Sequence, residues 1–123
     1  MDEFNSAVDR ALFDVRNRLS KLQLTIMDYM QTKIGFNDSF DKFYSIPLKD
    51  MYTLCRIDNE DKEALKYLTA NLANSTMLDV TCGRQRTIFP LYDKFIISKE
   101  KFEYRYSEEV FSILQREIRN KYL

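Results

Sequence analysis

Histidine is absent from this sequence of 123 residues. It is the usual general base near neutral pH, the partner of serine and cysteine nucleophiles, and the commonest metal ligand. The acidic residues at positions 58, 60, 61 and 63 carry oxygen ligands, but carboxylates at the start of a helix more often stabilise the helix dipole. We therefore predict a protein that is not an enzyme and has no metal site.

Glycine and proline are scarce, with two of each. So few turn-forming residues favour long helices over a many-stranded sandwich. Gly35 and Gly83 stand alone and do not make a glycine-rich loop of the kind that holds nucleotide phosphates. The sequence therefore predicts no cofactor and no small-molecule substrate.

The chain also lacks features of secreted and membrane proteins. Cys55 and Cys82 lack the close spacing of a metal knuckle, so free thiols in a reducing compartment are expected. No apolar run approaches the roughly 18 residues of a membrane span, and the first residues do not resemble a secretory signal. We expect a cytoplasmic protein without membrane contacts.

The charge is balanced overall but unevenly distributed. Nineteen basic and nineteen acidic residues cancel, so no whole-molecule field attracts nucleic acid. Residues 1–80 hold ten Lys and Arg against thirteen Asp and Glu, whereas residues 81–123 hold nine against six. Any phosphate contacts are therefore expected mainly from the last third of the chain.

The apolar spacing predicts one mainly helical α+β domain over residues 1–123, with a small antiparallel sheet. Ser20 is a good N-cap, Gly35 a plausible helix end, and Asp58 or Asn59 a cap for the fourth helix. The predicted helices cover residues 5–17, 21–34, 48–55, 59–74 and 108–121. The predicted strands cover residues 43–46, 77–82, 86–91 and 102–106.

The two helices at 48–55 and 59–74, joined by a short turn, form a candidate helix-turn-helix. A DNA-reading helix usually presents basic or amide side chains near its N-terminus. Here that end presents Glu60, Asp61 and Glu63, relieved by Lys62 and Lys66. The pattern therefore favours the fold more than it favours sequence-specific reading of bases.

A hairpin around Gly83 is the more favourable DNA-binding element. Arg84 and Arg86 flank its tip, and a wing with two arginines could reach a minor groove or phosphates. Exposed arginines are also common on surfaces without any such role, and both readings are open. Lys94, Lys99, Lys101 and Arg105 are expected to extend the same basic region. The aromatic residues interleaved with them superficially resemble a stacking platform, but aromatic residues in strands are more often core.

The first helix carries a stripe of Val8, Leu12 and Val15 that a small domain does not always bury by itself. A dimer partner could cover this stripe, or it could pack on the last helix. The sequence leaves both possibilities open.

Together these segments resemble the first winged-helix domain of bacterial plasmid replication initiators, the Rep protein family. The opening helices at 5–34 resemble that family's first helix, its leucine-serine turn and the helix that follows. Residues 44–51 and 64–72 are similar to the short strand and the helix-turn-helix, and residues 86–89 and 102–114 to the final strands and closing helix. The resemblance implies a winged helix-turn-helix domain that dimerises and contacts the DNA backbone, while a second winged helix of the family reads origin repeats.

Two hypotheses follow. The first is a non-catalytic DNA-binding and dimerisation module of replication-initiator type, which contacts double-stranded DNA mainly through the backbone and forms a homodimer. Its expected nucleic-acid contacts are Arg84, Arg86, Lys62, Lys66 and Arg56. The alternative is a winged helix used for protein–protein interaction without DNA binding, favoured by zero net charge and by the acidic residues at 60–63.

Overall fold

A computed structural model describes residues 3–122, with side chains described to residue 121. The helices are α1 (Glu3–Arg18), α2 (Lys21–Gln31), α3 (Leu48–Cys55), α4 (Lys62–Ser75) and α5 (Glu108–Tyr122). The strands are β1 (Tyr44–Pro47), β2 (Met77–Cys82), β3 (Gln85–Pro90), β4 (Tyr92–Ile97) and β5 (Lys101–Tyr106). The predicted α+β, mainly helical class is confirmed.

Three strands form an antiparallel sheet in the order β1-β5-β4, and the helix-turn-helix lies between β1 and the other two strands in the chain. β1 precedes α3 and α4 in the chain, and it pairs with β5 in a register that sets Tyr44 opposite Tyr104. β4 pairs with β5 to form a hairpin that turns at residues 98–100. This hairpin is therefore the wing of the winged helix, and the prediction that the Gly83 hairpin is the wing was wrong.

The Gly83 hairpin is a separate two-stranded sheet, β2–β3, inserted between α4 and β4. Its loop consists of Gly83 and Arg84, and Gly83 adopts the left-handed conformation with φ 63°, which costs a glycine little. The inner face of the hairpin carries the buried Leu78, Val80 and Phe89. These strands were predicted to within about a residue, but their place in the fold was not.

The apolar stripe of α1 is covered within the chain. Val8, Leu12 and Val15 are all buried, and α1 contacts both β2 and α5. Of the two possibilities that the sequence left open, packing on the last helix is therefore confirmed, and the stripe is not a spare face for a dimer partner. A homodimer would need another surface.

The aromatic residues of the three-stranded sheet form the centre of the core. Tyr104 is fully buried and its hydroxyl donates a 2.6 Å hydrogen bond to the carbonyl oxygen of Met30, which fastens the sheet to α2. This burial confirms that the strand aromatics are core rather than an exposed stacking platform. Aromatic rings of the sheet in contact with one another are Tyr44, Tyr92, Phe95, Phe102, Tyr104 and Tyr106.

The ends of α2 show how local signals and tertiary contacts share control of a helix. Ser20 caps α2 as predicted, and its hydroxyl and the Gln23 side chain form a reciprocal capping box. The predicted end at Gly35 was wrong, because the helix ends at Gln31 and Thr32 is its C-cap. The Gly35 N–H instead donates a 2.6 Å hydrogen bond to the Asp38 carboxylate in the following loop.

Within the described residues, none of the helices has both the length and the apolar composition needed to cross a membrane.

Candidate nucleic-acid interface

The turn of the helix-turn-helix covers residues 56–61 and is longer than predicted. Arg56 ends α3 in the left-handed conformation (φ 58°), and Glu60 has φ 69°, so the two non-glycine residues with positive φ among residues 3–122 both lie in this turn. Asp61 caps α4 by accepting a 3.1 Å hydrogen bond from the Ala64 N–H. The predicted caps Asp58 and Asn59 were therefore wrong.

Three elements meet at one cleft: the start of α3, the start of α4 and the tip of the wing. The cleft has a volume of about 610 Å³, and the side chains of Lys49, Lys62 and Lys99 line it. A smaller adjoining cavity of about 250 Å³ is lined by Lys62, Lys66 and Lys99. We call this combined surface, with its four lysines, the lysine cleft. Its other lining residues are Leu48, Tyr52, Asn59, Glu60, Leu65, Ile97 and Ser98.

Backbone hydrogen bonds fix the wing tip against α3. The Leu48 N–H donates to the carbonyl oxygen of Glu100 at 2.9 Å. Across the turn, the Ser98 N–H and hydroxyl both donate to the Lys101 carbonyl oxygen, at 3.0 Å and 3.2 Å. Lys99 is therefore carried on a turn tied to the first residue of α3, and it lines the same cleft as Lys49 and Lys62.

The lysines of the cleft differ in how far their charge is already compensated. Lys66 forms an exposed ion pair with Glu63 at 3.6 Å. Lys49, Lys62 and Lys99 form no ion pair with any residue that the structure describes. Only Glu60 contributes a carboxylate to the lining. The cleft thus carries a local excess of positive charge in a chain without net charge.

The outward face of α4 lies beside the cleft. At about 100° per residue, Tyr67 and Asn74 lie on the opposite side of the helix from the buried Leu65. Tyr67 is 71% exposed, and Asn71 and Asn74 are exposed with it. A helix fits the major groove of DNA, where tyrosine and asparagine side chains can contact phosphates and base edges.

The structure separates the predicted arginines from the predicted lysines. Leu91, which follows the β2–β3 hairpin, donates to the carbonyl oxygen of Thr76, so the hairpin is rooted at the C-terminal end of α4. Lys62 lies at the other end of that helix, a distance of about 20 Å at 1.5 Å per residue. Arg84 and Arg86 are therefore not part of the lysine cleft.

Arg86 is also engaged on its own hairpin. Its Nε and Nη2 donate to the two carboxylate oxygens of Asp79 at 2.9 Å and 2.7 Å. This hydrogen bonding lowers the pKa of Asp79 and raises the pKa of Arg86. Arg84 is exposed at the loop, and Arg56, the exposed C-cap of α3, does not line the cleft.

Lys62 and Lys66 are thus brought together as expected, but with Lys49 and Lys99 rather than with the arginines. Sequence reasoning missed Lys49, and placed Lys99 with the Gly83 hairpin. A strand at Tyr92–Ile97 would have identified the correct wing and its tip. Residues 3–121 contain no group of three or more acidic or cysteine side chains that could hold a metal ion.

The comparisons with known proteins agree with this architecture. The family model described as Initiator Replication protein, WH1, matches residues 7–120, which extend from α1 to α5. No curated protein and no solved structure matches the chain.

Proposed function

We propose that this chain, which belongs to the Initiator Replication protein family as its WH1 domain, is a non-catalytic module that binds duplex DNA mainly through the phosphate backbone and forms a homodimer. Membership of the family identifies the chain as a winged-helix domain of replication-initiator type. The contacts with DNA and the dimer are the proposal.

The observation that carries the DNA-binding half is the lysine cleft. Three lysines that have no ion-pair partner among the described residues line it where the starts of α3 and α4 meet the tip of the wing. A duplex lying along the outward face of α4 would bring its phosphates to this edge of the helix. Neutralisation of phosphates by lysine releases counterions, and this release gives most backbone-directed affinity.

The dimer half rests on the outer face of the β2–β3 hairpin and on what the family resemblance implies. Met77 is 40% and Ile88 57% exposed, and the register places both on the same face of the hairpin as Asp79 and Arg86. Within the described residues the sheet has two strands, so each has an edge that pairs with no further strand. Such an edge pairs readily with a second copy of the same strand.

Fluorescence anisotropy with a labelled duplex of mixed sequence tests DNA binding. We expect micromolar binding at low salt that weakens steeply as salt rises to the physiological range. Absence of binding at low salt would reject the proposal and leave the domain as a protein-interaction module. Sedimentation velocity of the same sample tests the dimer, with Ile88→Glu as the variant expected to sediment as a monomer and Tyr67→Glu as the exposed control expected to remain dimeric.

The alternative of a protein-interaction module draws on the same exposed apolar face. Met77 and Ile88 would then contact a different protein instead of a second copy. A wild-type chain that is monomeric and does not bind duplex DNA would favour this alternative, and Ile88→Glu would then be the variant for identifying the partner.

A further inference from the structure

Tyr52 is a buried side chain whose hydroxyl has no hydrogen-bond partner among the described residues. The residue is 5% exposed and lies on α3, where it lines the lysine cleft. A buried hydroxyl without a partner destabilises the folded chain, because its hydrogen bonds with water are lost and not replaced. An acceptor that enters the cleft from outside would remove this defect.

Other buried tyrosine hydroxyls differ from Tyr52 in their surroundings. Tyr104 donates to a backbone carbonyl, and Tyr44 donates to the Asp38 carboxylate at 2.8 Å. The hydroxyls of Tyr92 and Tyr106 interact with each other within the aromatic core, where the two rings lie 5.1 Å apart. Only Tyr52 combines an unpartnered hydroxyl with a cleft lined by lysines, within the part of the chain that the structure describes.

The start of α3 supplies further donors at the same place. Its N-cap is Pro47, which makes no side-chain hydrogen bond to the helix. The Leu48 N–H is used by Glu100, so the N–H groups of Lys49 and Asp50 are those that the first turn of the helix leaves without an acceptor. Two amides at a helix N-terminus favour an anion by their hydrogen bonds and by the helix dipole.

We propose that the lysine cleft seats one phosphate group, and that this phosphate belongs to the backbone of the duplex bound in the proposed function, on which the inference rests. The phosphate accepts hydrogen bonds from the Tyr52 hydroxyl and from the amides of Lys49 and Asp50. The ammonium groups of Lys49, Lys62 and Lys99 balance its charge, against the carboxylate of Glu60. Tyr52 is then a positioning donor that fixes where the duplex lies relative to α3 and the wing.

Tyr52→Phe tests this assignment, because it removes the hydroxyl and keeps the ring. We expect the free variant to melt at the same temperature as wild type or higher, since an unpartnered hydroxyl has been removed. Its affinity for the duplex should fall by roughly tenfold to a hundredfold, the usual range for loss of a hydrogen bond to a charged group. The salt dependence should be unchanged, because the hydroxyl carries no charge.

Tyr92→Phe is the control, since its hydroxyl is also buried but lies in the aromatic core, where it interacts with Tyr106. Its affinity for duplex DNA should equal that of wild type. Wild-type affinity in Tyr52→Phe would overturn the proposal while leaving DNA binding intact. A Tyr52→Phe variant that melts lower than wild type would also overturn it, because the hydroxyl would then have a partner within the folded chain.

A titration with inorganic phosphate tests phosphate binding in the cleft independently of DNA binding. In ¹⁵N-resolved NMR spectra, we expect the amide signals of Lys49 and Asp50 to shift with added phosphate in wild type and to shift less in Tyr52→Phe. Unshifted amides would overturn the seat. If the amide signals shift but the chain does not bind duplex DNA, the proposed function is rejected, whereas phosphate binding in the cleft is supported with free phosphate as the ligand.

A duplex with a single neutral methylphosphonate linkage, moved along each strand, identifies the phosphate. One linkage should reproduce the affinity loss of Tyr52→Phe, and at that linkage the variant and the wild type should bind equally. An equal additional loss from Tyr52→Phe at every linkage would exclude a backbone phosphate as the group that the hydroxyl contacts.

Discussion

Neutralising two lysines of the cleft should change the salt dependence of DNA binding by a defined amount. In Lys62→Gln/Lys99→Gln, both substituted side chains are exposed and without ion pairs, so the fold should not be affected. Each neutralised phosphate contributes about 0.9 to the slope of log affinity against log salt concentration, so a double variant that loses the one phosphate seated in the cleft should have a slope lower by about 0.9. Between about 50 mM and about 200 mM salt, the wild type should then lose about 3.5-fold more affinity than the variant.

The assay is anisotropy at four or more salt concentrations, with circular dichroism to confirm folding. Lys21→Gln/Lys33→Gln is the control, since it removes the same charge from exposed residues that do not line the cleft, and it should keep most of the wild-type slope. Arg84→Gln/Arg86→Gln tests the original arginine prediction. A wild-type slope in the cleft variant, together with a reduced slope in the arginine variant, would show that the duplex lies on the β2–β3 hairpin and would refute the assignment to the cleft.

Three further predictions concern stability. Burial raises the pKa of Asp38, but hydrogen bonds from the Gly35 amide, the Tyr44 hydroxyl and Lys42 outweigh this, so the pKa lies below its ordinary value. The ionised carboxylate therefore stabilises the fold above about pH 4 and loses this effect as the pH falls through the folded-state pKa. Asp38→Asn should lower the free energy of unfolding by about 1–2 kcal/mol at pH 7, measured by urea unfolding. The difference between the variant and the wild type should become smaller at lower pH. Tyr104→Phe, which removes the hydroxyl that donates to the Met30 carbonyl oxygen, should lower the free energy of unfolding by about 1 kcal/mol, and an unchanged value would contradict the hydrogen-bond assignment. Ser20→Ala should lower the free energy of unfolding by about 1 kcal/mol, and an unchanged value would mean that the capping box contributes little.

The helices were predictable where the signal is local, and less so where several signals compete. Ser20 stands alone before an apolar stripe, and it caps α2 as its sequence context indicates. The start of α4 offers three capping residues, Asp58, Asn59 and Asp61, and each is chemically suitable. The turn decides between them, because Glu60 has a left-handed backbone that ends one turn and allows the next helix to begin after Asp61.

Strand β4 was missed for an identifiable reason. A half-buried strand is recognised by alternation of apolar and polar residues, and a register shift between Tyr92 and Lys94 interrupts that alternation. Without β4, the only visible hairpin was the one at Gly83, so the wing was placed there. The same omission assigned Lys99 to the neighbourhood of Arg84 instead of the start of α3.

The surfaces of α1 and of the cleft show the limit of periodicity. Val8 and Leu12 had to face something apolar, but the pattern on α1 does not specify whether a hairpin of the same chain or a second copy covers them. Lys49 and Lys99 are ordinary surface lysines in the sequence, and only the hydrogen bond between Leu48 and Glu100 brings their two segments together. Lys62 and Lys66 could be predicted because both lie on one helix.

The pairing of β1 with β5 has a consequence for the order in which the domain folds. Tyr44 and Tyr104 are opposite each other in the sheet but about sixty residues apart in the chain, whereas β2 and β3 are neighbours joined by a two-residue loop. Local hairpins form on the microsecond timescale, while a contact that closes a long segment must wait for it. On a ribosome, the α1–α2 pair and the β2–β3 hairpin can form early, but the tip of the wing meets α3 only after β5 has emerged. We therefore expect the lysine cleft to assemble late, only after β5 has been synthesised.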